Sequence, residues 1–380
     1  MKILFIQKEG GIFGAENYHL NMIPALQKRG ITIEFLRLYT DYQLGKDSDF
    51  VKRLQQMQVH VYQVNIGRVP GIRDVREIAR IIRAGNYDIV HSHLIHADFY
   101  AALVRTFFRP KAKFVSTKHG YDNSFTAKHG FDASKQGVTP YFLISRWAES
   151  KFDKSYTISK GLLNLFIQTG ITSSEKMELI YYGFDLAEVT PVEEPETYRK
   201  STHQLCIAGR LVEFKGHLWG IEAVQKLTAN YPDIKLLIIG TGSFEQQLKQ
   251  RVEELNLTRH VDFLGYRKDV GCWMKYSDVV LVPSRSEGFG VVFLEAFNAR
   301  TPVVAFNVPA ANELISDGES GMLATPYDTQ DLADKVSMLL QNKDMAGQYA
   351  AAADTNAKKF FSLNTMADNT YSFYKRVLQA

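Results

Sequence analysis

The sequence predicts an α/β protein built from two doubly wound parallel sheets. Short, β-branched, apolar runs alternate with amphipathic helical stretches almost from end to end, as in a sheet covered by helices on both faces. Glycine-punctuated turns recur where those runs end, at the carboxyl edge where open α/β sheets hold ligands. A chain of 380 residues is also too long for one ordinary core and suits two.

Composition narrows the class. Hydrophobic residues make up 45% and charged residues 23%, the values of a soluble globular chain. The net charge of +4 is compatible with anionic ligands or an anionic membrane surface and demands neither. It is too small to argue for nucleic acid, and no basic-and-aromatic reading module is present, so nucleic acid is not an expected partner. Cys206 and Cys272 are far apart and show no metal or redox spacing. The first residues read as a strand too short for a signal-peptide core, and no apolar run approaches a membrane span. The expected location is therefore the cytoplasm.

Residues 2–7 are the first buried strand. Gly10, Gly11, Gly14 and Glu16 follow, then an amphipathic helix to about Lys28 with Gly30 as its stop. The Gly-Gly-x-x-Gly spacing is not the dinucleotide fingerprint, which argues against a dehydrogenase. A strand at 31–38, a helix at 74–84 and a strand at 87–91 continue the alternation. Asp47-Ser48-Asp49 lies in a polar connection and reads as a turn or helix cap rather than a metal–diphosphate site. His91, His93 and His96 cluster at the end of their strand. A metal shell lacks supporting ligands there, so no metal is assigned. One histidine touching substrate is the sharper alternative to three loop histidines. Residues 114–120 form a further strand ending at His119 and Gly120. Residues 121–138 read as a long polar loop, and 140–152 as a buried helix that could also meet a membrane surface.

Residues 179–185 read as a last strand and turn, and the proline- and charge-rich 186–203 as a linker. A second alternation of buried strands and helices begins at Leu205. Arg210 and Lys215 lie in its first loop, which lacks the P-loop spacing. They can still grip a diphosphate, Arg as a fork and Lys as a point charge, or be plain surface charge. Tyr266, after a later strand, can stack on a base or simply pack. The most informative stretch follows the strand at 278–283. Glu287, Gly288, Phe289 and Gly290 make a glycine turn, and a helix then carries Glu295. Unpartnered N–H groups and a positive dipole end favour an anion there. A carboxylate can accept from both hydroxyls of a vicinal diol. A phosphate flanked by two such carboxylates suggests a nucleotide sugar. The bland alternative is a capping Glu and a solvated helix Glu.

Taken in order, these motifs resemble the retaining GT-B glycosyltransferases of family four. The resemblance is carried by Gly10-Gly11 through Glu16, His91-Ser92-His93, Gly209-Arg210 through Lys215-Gly216, and Glu287-Gly288-Phe289-Gly290 through Glu295. Tyr156 to Ser159 and Tyr182 to Asp185 add weaker matches. It implies two Rossmann-like domains facing a cleft. Residues 1–185 would bind the acceptor and 204–359 the nucleotide sugar, with a helix at 360–380 crossing back to the first domain. By position, Arg210, Lys215, Gly11 and Gly290 would hold the diphosphate and Glu295 the ribose. Tyr266 would meet the base. Glu287, Gly288 and Phe289 would hold the donor sugar. His93 and Glu287 would be catalytic, with His96 and His119 on the acceptor side.

The resemblance further implies a metal-independent, retaining transfer with no cofactor beyond the nucleotide-sugar co-substrate, UDP-linked before GDP-linked. Front-face attack by an acceptor hydroxyl is the implied route. The acceptor would be a glycan or glycolipid of the cell envelope, compatible with peripheral contact at the inner face of the membrane. Alternatives are an epimerase or phosphorylase on the same architecture, or a sugar-binding protein without chemistry.

Overall fold

The structure is a computed structural model that describes residues 1–10, 14–40, 48–67, 71–186 and 203–380. Gly11, Asp47 and most of the expected linker lie outside the described residues. The chain divides into two compact units. The N-terminal unit comprises Met1–Phe125, Phe131–Gly183 and Leu363–Ala380; the C-terminal unit comprises Thr126–Gly130 and Phe184–Ser362.

The first part of the chain runs β1 (Lys2–Lys8), α1 (Gly14–Gln27), β2 (Thr32–Tyr39), α2 (Asp49–Gln56), β3 (His60–Asn65), α3 (Ile72–Gly85), β4 (Ile89–His93) and α4 (Leu94–Phe108). It continues with β5 (Lys113–Lys118), α5 (Asn123–His129), α6 (Pro140–Ser150), β6 (Lys154–Thr157), α7 (Lys160–Gln168) and β7 (Met177–Leu179). These strands form one parallel sheet in the order β3-β2-β1-β4-β5-β6-β7. The order reverses direction between β1 and β4, so a crevice opens past the carboxyl ends of those two strands. Gln7 pairs with His93 in register at that point.

The second part runs β8 (His203–Ala208), α8 (His217–Leu227), β9 (Ile234–Ile239), α9 (Glu245–Glu254), β10 (Val261–Gly265), α10 (Val270–Lys275), β11 (Val279–Val282) and α11 (Val291–Asn298). Then come β12 (Val303–Phe306), α12 (Ala311–Leu314), β13 (Met322–Ala324), α13 (Thr329–Gln341), α14 (Lys343–Phe360) and α15 (Leu363–Gln379). Its sheet is also all parallel, in the order β10-β9-β8-β11-β12-β13, with the switch between β8 and β11. Two-sided burial explains the near-continuous apolar runs of these strands: all four residues of β11 and of β12 are buried.

Several expectations need correction. Residues 121–138 are not a plain loop, because α5 and a one-turn 3-10 helix at Ala133–Lys135 lie within them. Asp122 and Asp132 accept backbone N–H groups at the starts of these turns. Helix α6 buries only Ser145, Ala148 and Glu149, so it is a one-sided helix rather than a buried one. The last strand of the first part is β7, which ends at Leu179, so only the first residue of the predicted 179–185 segment is strand. The expected closing helix at 360–380 is α15, which begins at Leu363 after a break where Ser362 bridges to Phe184. Helix α15 belongs to the N-terminal unit and buries Met366, Phe373, Tyr374 and Val377.

Buried charge also shapes the N-terminal unit. Lys118, ending β5, reaches Asp98 at 2.6 Å and Glu149 at 3.0 Å, and all three are nearly inaccessible. Arg37 is fully buried against Glu9, and its other branch donates to Gln63 at 2.6 Å. Ser48 caps α2 and donates to Glu9, so Ser48-Asp49 is a helix start.

Candidate active site

In the C-terminal unit the β11 exit and the β8–α8 loop meet at the switch point. Lys215 sits in a one-turn 3-10 helix, Glu213–Lys215, just before α8. Its ammonium donates to both carboxylate oxygens of Glu287, each at 2.7 Å. Ser284 donates to Glu287 Oε1 at 2.7 Å. The Glu287 side chain is 6% exposed and that of Lys215 19%, so the pair is largely shielded from water yet reachable. Glycine makes this approach possible. Gly216 has φ of +73°, and a Cβ there would lie 1.8 Å from the Pro283 carbonyl oxygen. Gly290, the N-cap of α11, has φ of +86° and leaves no room for a Cβ beside Phe293.

Glu295 lies on α11. Burial raises its carboxyl above the usual range, and Lys215 partly opposes that rise. Lys215 therefore sits in the field of two carboxylates. Arg210, just past β8, is exposed and has no side-chain bond or ion pair among the described residues. Tyr266 follows the edge strand β10 and is 72% exposed. Phe289 departs from its expected role in one respect: it is 3% exposed and its ring meets Phe361 edge-on with centroids 5.7 Å apart, so the ring serves the core. Gly288 is partly buried beside Glu287.

Sequence reasoning missed Ser284 and His217. Ser284 is one ordinary serine among Ser284, Ser286 and Arg285, with no pattern to mark it. His217, the first residue of α8, is 1% exposed, and neither ring nitrogen has a partner among the described residues. Burial and then Lys215 push its imidazole down to about 4, so it is neutral.

In the N-terminal unit the switch point holds histidines. Helix α1 supplies Glu16 and His19, and β4 supplies His91 and His93. His19 Nε2 donates to Gln7 Oε1 at 2.6 Å, and the Gln7 amide donates to Glu16 at 2.9 Å. Glu16 also accepts the Gly10 N–H, which explains its place after the glycines. His93 Nδ1 and His119 Nε2 share a hydrogen at 3.0 Å. His91 bonds Tyr374 of α15 and Thr117 of β5, both at 2.7 Å. His91 and His93 share a face, with ring centroids 4.1 Å apart. His19, His91 and His93 are fully buried, and burial holds each imidazole well below its usual value. His119 is held down to about 3 by the same cause. His93 is thus an enclosed neutral ring, while His96 stands apart on α4.

Two family models match the chain: "Glycosyltransferase Family 4" over residues 12–188 and "Glycosyl transferases group 1" over residues 193–360. The chain belongs to the group 1 glycosyltransferases. It is a glycosyltransferase of the two-domain, Rossmann-like GT-B fold. Among its relatives is D-inositol 3-phosphate glycosyltransferase of Nocardioides sp., 27% identical over 97% of this chain and 86% of that one. N-acetyl-alpha-D-glucosaminyl L-malate synthase of Bacillus anthracis is 24% identical over 93% and 91%. Anabaena Alr3699/HepE, solved in complex with UDP, shares the fold with a TM-score of 0.80 at 23% identity over 99% of this chain and 100% of that one. No helix among the described residues is long and apolar enough to cross a membrane.

Proposed function

We propose that the switch point of the C-terminal unit binds a nucleotide-sugar donor, UDP-linked, and that this glycosyltransferase moves the sugar with retention to a hydroxyl of a glycan or glycolipid acceptor. The observation that carries this reading is the Lys215–Glu287 pair beside the Gly290 N-cap of α11. A diphosphate at the α11 N-terminus would draw Lys215 toward itself, with exposed Arg210 as the second cation. Glu287, released from part of its ion pair, would then accept the donor-sugar hydroxyls. Glu295 would take the ribose and Tyr266 the base. HepE, similar in fold, is solved with UDP and with UDP-glucose, which supports the choice of base for such a chain.

Departure of the nucleoside diphosphate develops negative charge on its terminal oxygen. Lys215, once drawn from Glu287, would stabilise that charge together with Arg210 and the α11 N–H groups, and a cation pair of this kind would supply what a divalent metal supplies elsewhere. Little else in the site offers a covalent nucleophile, so front-face attack by the acceptor hydroxyl is the proposed route. The departing phosphate oxygen would help take the proton. His93, neutral and enclosed, would act as a hydrogen-bonding group and not as a cation. His96 and His119 are the acceptor-side candidates, and envelope polysaccharide or lipopolysaccharide assembly on the cytoplasmic side is the proposed setting.

Radiolabelled UDP-sugars tested with EDTA present, with and without acceptor, examine this directly. The reading expects transfer that ignores EDTA and is lost in Glu287→Gln. Sugar release or epimerisation without acceptor would favour the phosphorylase or epimerase alternative, and no turnover with any nucleotide sugar would sink it.

A further inference from the structure

A second site lies wholly within the N-terminal unit. A cavity of about 470 Å³ opens at the carboxyl edge of its sheet, past the neighbouring strands β1, β2 and β3. That volume is in the range of small-molecule sites and exceeds what an ion or one sugar hydroxyl requires. Its walls are Ile66 beyond β3, Ile95 and Phe99 on α4, and Tyr141 and Ile144 on α6. They are braced from behind: Phe99 rests on Trp147 with centroids 5.5 Å apart, and Tyr100 is turned toward Asp74.

The surface is mainly apolar, and its polar side chains are Lys8 and Thr40 at the strand ends, His96 and the Tyr100 hydroxyl on α4, and the Tyr141 hydroxyl on α6. Lys8, at the end of β1, is the single charged residue among the described residues that line the cavity. It has no ion pair among the described residues. His96 on α4 also lines the cavity, and burial together with Lys8 holds its imidazole below the usual value. A bare sugar chain would place many hydroxyls against mostly aliphatic and aromatic surface with too few partners for them, which is unfavourable. A hydrocarbon segment would gain from the same surface, and an anion at the rim would meet Lys8.

We propose that this cavity receives a hydrocarbon chain whose phosphate end meets Lys8, and that the acceptor is accordingly a lipid phosphoester and not a free glycan end. The word acceptor rests on the transferase function proposed above; the binding itself does not.

The test titrates farnesyl phosphate, farnesol and inorganic phosphate into the full chain, each below any micelle-forming concentration. Ile144→Trp fills the cavity from an already half-buried position on α6, and Lys8→Met removes the charge while keeping the stem. Thermal melts matching the wild type show that each variant is folded. Farnesyl phosphate binds the wild type, and Ile144→Trp weakens it by about tenfold or more, as filling a ligand-sized apolar site should. Lys8→Met weakens farnesyl phosphate roughly fivefold and leaves farnesol unchanged, the signature of a single charge-assisted contact. Equal binding by wild type and Ile144→Trp, no binding of either farnesyl probe, or inorganic phosphate binding as tightly as farnesyl phosphate would each overturn the inference. UDP binding is measured separately. Its failure alongside intact farnesyl phosphate binding would count against the donor site and leave this one standing.

Discussion

Acidification should loosen the N-terminal unit, and His119 lets the size of the effect be worked out. Partly buried His119 edges a cluster of buried His19, His91 and His93 and also lies 4.7 Å from the Tyr18 ring. Burial holds the His119 imidazole at about 3, against an ordinary 6.5. A folded value below the unfolded one means that the unfolded chain binds the extra proton. Stability from this group is therefore complete above about pH 6.5 and lost as pH falls toward 3. At pH 5 the chain stands about 1.5 pH units below the unfolded value, and at about 1.36 kcal/mol per unit the loss is about 2 kcal/mol. The three other histidines shift in the same direction, though mutually coupled rings do not contribute as independent sums. His119→Asn keeps a hydrogen-bonding partner for His93 and removes one titration. Urea unfolding can be followed through Trp147, the one tryptophan of the N-terminal unit, in a Trp219→Phe/Trp273→Phe background. The variant should lose about 2 kcal/mol less than its parent between pH 7 and pH 5. Equal losses in both would refute the claim that a partly buried, neutral His119 drives the effect.

Other perturbations probe different parts of the molecule. Lys118→Met leaves Asp98 and Glu149 buried without their cation and should destabilise the N-terminal unit by about 3–5 kcal/mol in denaturant melts. Gly216→Ala forces a side chain into positive φ and onto the Pro283 carbonyl; a cost of at least roughly 1–3 kcal/mol should appear in the C-terminal unit, with loss of donor binding. Glu287→Gln should act in opposite directions on two readouts. It frees Lys215 from its ion pair, so UDP affinity holds or rises, while transfer falls at least about 100-fold.

Much of the fold was legible because both sheets are parallel and buried on two faces. Runs such as residues 279–282 and 303–306 are unbroken and apolar, and they announce strands without any alternation. Glycines at strand ends marked the site for a related reason: Gly216 and Gly290 occupy backbone positions where a Cβ has no room. Short or half-exposed elements were harder. Strand β3 has the mixed burial of an edge strand, and α5 is a seven-residue helix in polar sequence. Neither carries a periodic signal long enough to read. The Lys215–Glu287 pair joins residues 72 apart in sequence, and only the adjacency of β8 and β11 brings them together. The enclosure of His93 was hidden similarly, since its neighbours His19, His119 and Tyr18 come from α1 and the β5 exit. Ser284 and His217 carry no motif, and their parts emerge only from packing.

Calorimetric titration of UDP into the wild-type chain and into Lys215→Met, both with EDTA present, tests the central claim most directly. A donor diphosphate held at the C-terminal switch point predicts binding by the wild type that ignores EDTA and weakens about tenfold or more when the ammonium is removed. Absence of UDP binding, or equal binding by the wild type and the variant, would contradict the assignment of the Lys215–Glu287 site.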